Sequence, residues 1–101
     1  MLEREIFDSI CYENVDKLRD MGCGEQVNMH FKIWLDGQHS YYPIQLAAIK
    51  GNVELVRLLL QNKSVIADVR DQDNVSAYWH AAFYGHTEVM TLLKPHVDVY
   101  V

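Results

Sequence analysis

The chain has 101 residues, is half hydrophobic, and sets 14 acidic against 9 basic side chains for a net charge of −5. This length allows one small domain that buries roughly 60–70% of its unfolded surface. Lysine and arginine never cluster, which argues against nucleic acid or an anionic membrane as partner, because both need a basic stripe.

The first ten residues, MLEREIFDSI, mix acids among apolar positions and lack the core of a signal peptide. No apolar run approaches the ~20 residues of a membrane span, so membrane insertion is not expected. Cys11 and Cys23 do not make a disulfide framework. A reducing, intracellular and cytoplasmic setting is therefore the expectation.

Along the chain, the opening segment reads as a loose helical unit around Asn14-Val15-Asp16. A connection follows in which Val27, Met29, Phe31, Ile33 and Leu35 alternate with polar residues up to Asp36-Gly37. Alternation into Asp-Gly is a hairpin signal, and it predicts an enlarged β-hairpin projecting from the body. From Tyr42 the chain reads YPIQLAAIKGNVELVRLLL, and from Ser76 it reads SAYWHAAFYGHTEVMTLLK. Ala47-Ala48 falls on Ala81-Ala82, Gly51 on Gly85, Glu54 on Glu88 and Leu58-Leu59 on Leu92-Leu93, always 34 positions apart. A fixed period of this length signals stacked supersecondary units. The opening unit fits at an offset of 38, with Asn14 under Asn52.

Each unit reads as helix, turn, helix and hairpin. Gly51 and Gly85 end the first helix in the left-handed conformation. Val53, Val56 and Leu59, or Val89, Leu92 and Leu93, keep helical spacing in the second. Glu54 and Glu88 sit in its first turn, where the dipole favours negative charge. Ala47, Ala48, Ala81 and Ala82 are expected to let neighbouring helices approach closely.

These residues resemble the ankyrin repeat, whose pattern T-P-L-H-x-A-A-x-x-G-H-x-E-V-V-x-L-L-L matches the segments from Tyr42 and Ser76. Ala67-Asp68-Val69, and more weakly Val97-Asp98-Val99, match the family's following loop. Asp71-Gln72-Asp73-Asn74 stands at its Asp-x-x-Gly turn, with Asn74 in the left-handed position. The resemblance implies a mostly α solenoid of helix pairs with β-hairpin loops, one of them enlarged. It divides the chain into an N-terminal capping repeat at about 1–28, the long hairpin at 29–41, and repeats at 42–70 and 71–101. Ala77 replaces the third unit's proline, and Gln45 and Trp79 replace the turn histidine, which puts that residue's hydrogen bonds in question. Trp79 is expected to be structural. The last unit ends at Val101 without an evident polar cap. The expectation is either a longer array or a C-terminal face covered by a partner or a second copy.

Chemistry points away from an enzyme. None of the five histidines lies at ligand spacing from a cysteine, so neither a metal nor a cofactor is expected. His86, after the turn glycine, reads as structural. There is no nucleophile elbow and no glycine-rich phosphate loop. Asp71 and Asp73 as an acid/base pair lack a pocket argument, and a solvated turn is the plainer reading. Asn62-Lys63-Ser64 and Asn74-Val75-Ser76 match glycosylation acceptors by chance.

What the resemblance implies is recognition of a partner protein by hairpin tips and the concave face of the first helices, in the manner of a scaffold or complex subunit. Carried over by position, the contacts are Gln38, His39 and Tyr41, then Gln72, Asp73 and Val75 on the turns. On the helices they are Ile49, Lys50, Phe83 and Tyr84, with Cys11 and Tyr12 as loose equivalents. Trp34 extends the strip from the long hairpin. Exposed aromatic side chains of this kind are what interface hot spots use. The competing reading is a structural piece of a longer array with no partner of its own.

Overall fold

The computed structural model describes residues 2–23, 27–34 and 39–96. The predicted pairs form in sequence: α1 (Leu2–Cys11) with α2 (Val15–Asp20), α3 (Pro43–Lys50) with α4 (Val53–Leu60), and α5 (Ala77–Phe83) with α6 (Thr87–Leu93). A 3₁₀ turn, Lys94–His96, follows α6. The first helices pack in one row, α1 on α3 and α3 on α5, and the second helices in another, α2 on α4 and α4 on α6.

Turn chemistry sets each pair. Gly51 and Gly85 have φ of +74° and +75°, the left-handed region that a side chain disfavours. The 38-residue offset places Glu13 where Gly51 stands, and Glu13 takes φ +56°. The next residue caps the following helix in the first two pairs. Asn14 Oδ1 accepts from Lys17 N at 3.2 Å, and Asn52 Oδ1 accepts from Leu55 N at 3.0 Å. In the third pair His86 holds that place without capping. Its Nε2 instead bonds the Ile49 carbonyl at 3.1 Å, the structural role expected of it. A Cβ on Gly51 would lie 2.5 Å from the His86 ring, so this glycine serves both the turn and the approach of the next layer.

One core runs through the layers, from Ile6, Ile10 and Leu18 through Ala47, Ala48, Leu55, Val56 and Leu59 to Ala81, Val89 and Leu93. Ala47, Ala48 and Ala81 are closed contacts, as expected. Ala82 is not, since it lies exposed on the outer side of α5, which no later layer covers among the described residues.

The long hairpin departs from expectation along its arm. Strands β1 (Ile33–Trp34) and β2 (Ser40–Tyr41) pair antiparallel, Ile33 with Tyr41 and Trp34 with Ser40. Leu35 and the Asp36-Gly37 turn lie outside the described residues. The stretch before β1 does not project, because Met29 and Ile33 are buried. Asn62 pins it to the body: its Nδ2 donates to the Cys23 and Val27 carbonyls, both at 2.7 Å, and its Oδ1 accepts from Ser64 N at 2.8 Å. Ser64 Oγ in turn accepts from Met29 N at 2.7 Å.

Two outcomes follow for stability. Ala48→Trp is expected to cost about 2–3 kcal/mol and lower the melting temperature by roughly 10 °C, whereas Ala82→Trp shifts it by no more than about 3 °C. Thermal denaturation followed by circular dichroism separates the two. Glu13→Gly relieves a left-handed side chain at the loss of an exposed hydrogen bond from Asn52 Nδ2. It should stabilise by about 0.5–1 kcal/mol, read as a rise of a few degrees.

Candidate functional site

Helix α5 contains no Asp, Glu, Lys or Arg. Its inner side buries Ala77, His80 and Ala81, and its outer side carries Trp79, Ala82 and Phe83. Trp79 and Phe83 are one turn apart, the spacing that brings side chains together on a helix. Their rings stack at 5.3 Å and 12°. Phe83 meets Tyr84 edge to face at 5.0 Å, and Tyr84 stacks over His86 at 6.2 Å. In the other direction Trp79 meets His80 at 6.1 Å, and His80 meets Tyr41 of β2 at 5.5 Å. A continuous ladder of rings therefore runs from the long hairpin to the start of α6. Its middle is open to solvent: Trp79 is 52% exposed, Phe83 66% and Tyr84 53%.

The ladder is anchored by Asp71. His80 Nε2 lies 3.0 Å from Asp71 Oδ2. A carboxylate only accepts, so Nε2 carries the proton. Asp71 Oδ1 accepts from Asp73 N at 2.9 Å and from Val75 N at 3.1 Å, holding the turn on which Asn74 takes φ +62°. The Asp71 side chain is only 3% exposed. This corrects the solvated turn read from the sequence, and the shielded carboxylate has no access to a substrate as half of an acid/base pair. In the preceding unit Gln45 has the corresponding role. Fully buried, it donates from Nε2 to the Val69 and Val75 carbonyls at 3.1 and 2.9 Å, and its Oε1 accepts from Tyr42 N at 2.9 Å. The substitution of the turn histidine thus keeps the cross-turn hydrogen bonds in the second unit. In the third unit Trp79 turns outward, contrary to its expected structural role, and the adjacent His80 takes the buried place.

The residues singled out in the sequence divide into groups. Tyr41, Phe83 and Tyr84 are brought together, but only through His80 and Trp79, which sequence reasoning did not assign to the surface. The Trp79–Phe83 spacing was the signal that could have found them. Ile49 is half-buried with its carbonyl held by His86, and Lys50 is exposed. Gln72 and Asp73 are exposed on the turn, Val75 is half-buried, and Gln72 Oε1 accepts from Ser40 Oγ at 3.1 Å. His39 is exposed; Gln38 lies outside the described residues. Tyr12 is exposed at the end of α1, and Cys11 is half-buried. Trp34, 60% exposed, lines a separate groove of about 270 Å³ with Phe7, Phe31 and Arg4.

Other chemistry is muted. Burial pushes both thiols up, Cys11 against the opposing pull of Lys50, and Cys23 to about 11. Neither is an activated nucleophile. A cleft of about 510 Å³ between the starts of α2 and α4 is lined by Glu13, Asp16 and Glu54 beside Asn14 and Asn52. Among the described residues no cluster of His, Cys, Asp or Glu is arranged to hold a metal. Asn62, with both Nδ2 hydrogens engaged, is closed to glycosylation.

Comparison with family models matches residues 9–101 to ankyrin repeats, three copies. The chain belongs to the ankyrin-repeat family. Comparison with curated proteins and with solved structures finds no match. Ankyrin repeats are generally protein–protein interaction modules and typically non-enzymatic. No described helix is long and apolar enough to cross a membrane.

Gln45 gives the sharpest test of how this ankyrin stack is held. Gln45→Ala empties a fully buried site and leaves the half-buried Tyr42 N–H and Val69 carbonyl without this partner, while the Val75 carbonyl keeps its bond from Asp71 N, and is expected to cost about 2 kcal/mol in chemical denaturation. Gln45→His, restoring the family's side chain, should recover most of that loss.

Proposed function

We propose that this chain is a non-enzymatic scaffold module that binds a partner protein through its hairpin tips and the ring ladder, as an intracellular subunit of a larger assembly. The observation that carries the reading is the ladder itself, in which three large rings stand half open to water while His80 on one side is held by Asp71 and His86 on the other by the Ile49 carbonyl. Aromatic side chains on a rigid base supply contact area with little ordering entropy lost on binding. The contacts are Tyr41, Phe83 and Tyr84 with Ile49 and Lys50 beside them, and Gln38, His39, Gln72, Asp73 and Val75 at the tips. Trp34 extends the surface toward the first unit. Residues 1–28 serve as the cap, 29–41 as the long hairpin, and 42–70 and 71–101 as the two full repeats. The net charge of −5 favours a neutral or basic partner surface and an association rate that falls with added salt.

Affinity capture from native cell extract tests this, comparing the chain with a Tyr41→Ala, Phe83→Asp, Tyr84→Asp triple variant whose helical signal is intact. The expected result is a protein held by the first and lost by the second, at least tenfold by quantitative mass spectrometry. Equal capture by both would move the site away from the ladder. No capture by either would favour a structural piece of a longer array.

A further inference from the structure

The arm from Val27 to Trp34 is held to the molecule differently from the helices around it. A helix satisfies most of its own backbone, whereas this arm runs extended and leans on side chains of other segments. Among the described residues, three backbone N–H groups ahead of β1 are engaged. Val27 N donates to the Gly22 carbonyl at 3.0 Å, Met29 N to Ser64 Oγ at 2.7 Å, and His30 N to the nearby Asn28 Oδ1 at 3.0 Å. Met29 and Ile33, four residues apart on one side of the arm, are its buried anchors. Asn28, His30, Lys32 and Trp34, on the other side, are exposed, and His30 adds a stack on Tyr42 at 5.0 Å.

The ties converge on one short loop. Asn62 and Ser64 lie just past the end of α4, and among the described residues they make both side-chain hydrogen bonds that reach the arm from another segment. Ser64 Oγ also donates to Asn62 Oδ1, so the two residues hold each other as well as the arm. At its far end the arm has only the two-residue pairing of β1 with β2. A ladder that short is marginal in water. Strand β2 has its own ties to the third unit, since Ser40 Oγ donates to Gln72 Oε1 at 3.1 Å and Tyr41 meets His80 at 5.5 Å.

We propose that residues 27–34 form a strap that opens as one unit while the helix layers stay folded, with Asn62 and Ser64 as its latch. Opening exposes two buried side chains and breaks a handful of hydrogen bonds, and it returns conformational freedom to a whole extended segment. Unfolding a helix layer costs far more, because each layer packs on its neighbours. Segments with few buried contacts open well below the global limit. Ile33 pairs with Tyr41, and Tyr41 meets His80, so the state of the strap sets how firmly the hairpin end of the ring ladder is fixed. The inference goes beyond the partner surface proposed above, and its test needs no partner.

Hydrogen exchange of the full chain, read by NMR, tests it. The Val27 and Met29 amides are expected to share one protection factor, at least tenfold below that of Leu58 and Leu59 in α4. Low urea should speed Leu58 and Leu59 steeply and the strap hardly at all, since the slope follows the surface exposed. Ser64→Ala removes the acceptor of Met29 N but no bond of Val27 N, whose acceptor is the Gly22 carbonyl. Both amides should nevertheless speed by the same factor, at least fivefold. Val89→Ala, in the core of α6, should do the reverse, speeding Leu58 and Leu59 while Val27 and Met29 change less than twofold. Strap amides that match α4 in protection and urea slope overturn the proposal. So does Ser64→Ala acting on Met29 alone, or a strap that follows α4 in Val89→Ala.

Discussion

The approach of one helix pair to the next is the constraint on which the rest of this molecule depends. Gly51 admits the ring of His86 where any Cβ would collide with it, and Ala47, Ala48, Ala77 and Ala81 are all fully buried. Among the described residues no sheet links the layers, and the paired strands amount to two residues each. Stability is therefore a sum of neighbour contacts, and a defect at one contact is not spread over a larger core. Methyl groups alone would let the layers slide. Buried polar side chains prevent this, because a hydrogen bond has a direction and an unmade one is expensive in the interior. Gln45, Asn62 and the His80–Asp71 pair each fix a backbone segment in this way. All three tie together pieces of chain that are distant or change direction.

Much of this was legible in the sequence because it is local. The 34-residue period, the left-handed turns at Gly51, Gly85 and Asn74, and the asparagines that start α2 and α4 each follow from a few neighbouring residues. The enlarged hairpin was legible as a hairpin. Its arm was misplaced because alternation says that one side of a strand is apolar, not what that side packs against. Asn62 entered the sequence reading only as a chance glycosylation match, and only the fold brings it to the Cys23 and Val27 carbonyls. The outward Trp79 and the open Ala82 were misread for a related reason. Their pattern is that of Gln45 and Ala48, and the difference lies in whether another layer stands against them. Burial of a repeat's outer side is a property of the stack rather than of the repeat.

The same asymmetry shapes the candidate surface. One end of the ring ladder, Tyr41 and His80, rests on a shielded carboxylate that also holds the turn of the third repeat. The far end, His86, is held by the Ile49 carbonyl, and the middle, Trp79, Phe83 and Tyr84, faces water between these two supports. A ligand meeting the open middle thus encounters rings that are already positioned, since Trp79 leans on His80 and His80 cannot turn without giving up its bond to Asp71. Positioning of this kind lowers the ordering cost of association and leaves desolvation of the rings as the driving term. It also explains why the histidine at position 80, rather than the residue at the family's usual place, governs the surface. That side chain touches the turn, the long hairpin and the exposed rings at once, so a change in the turn at Asp71 is felt by the ladder through one hydrogen bond.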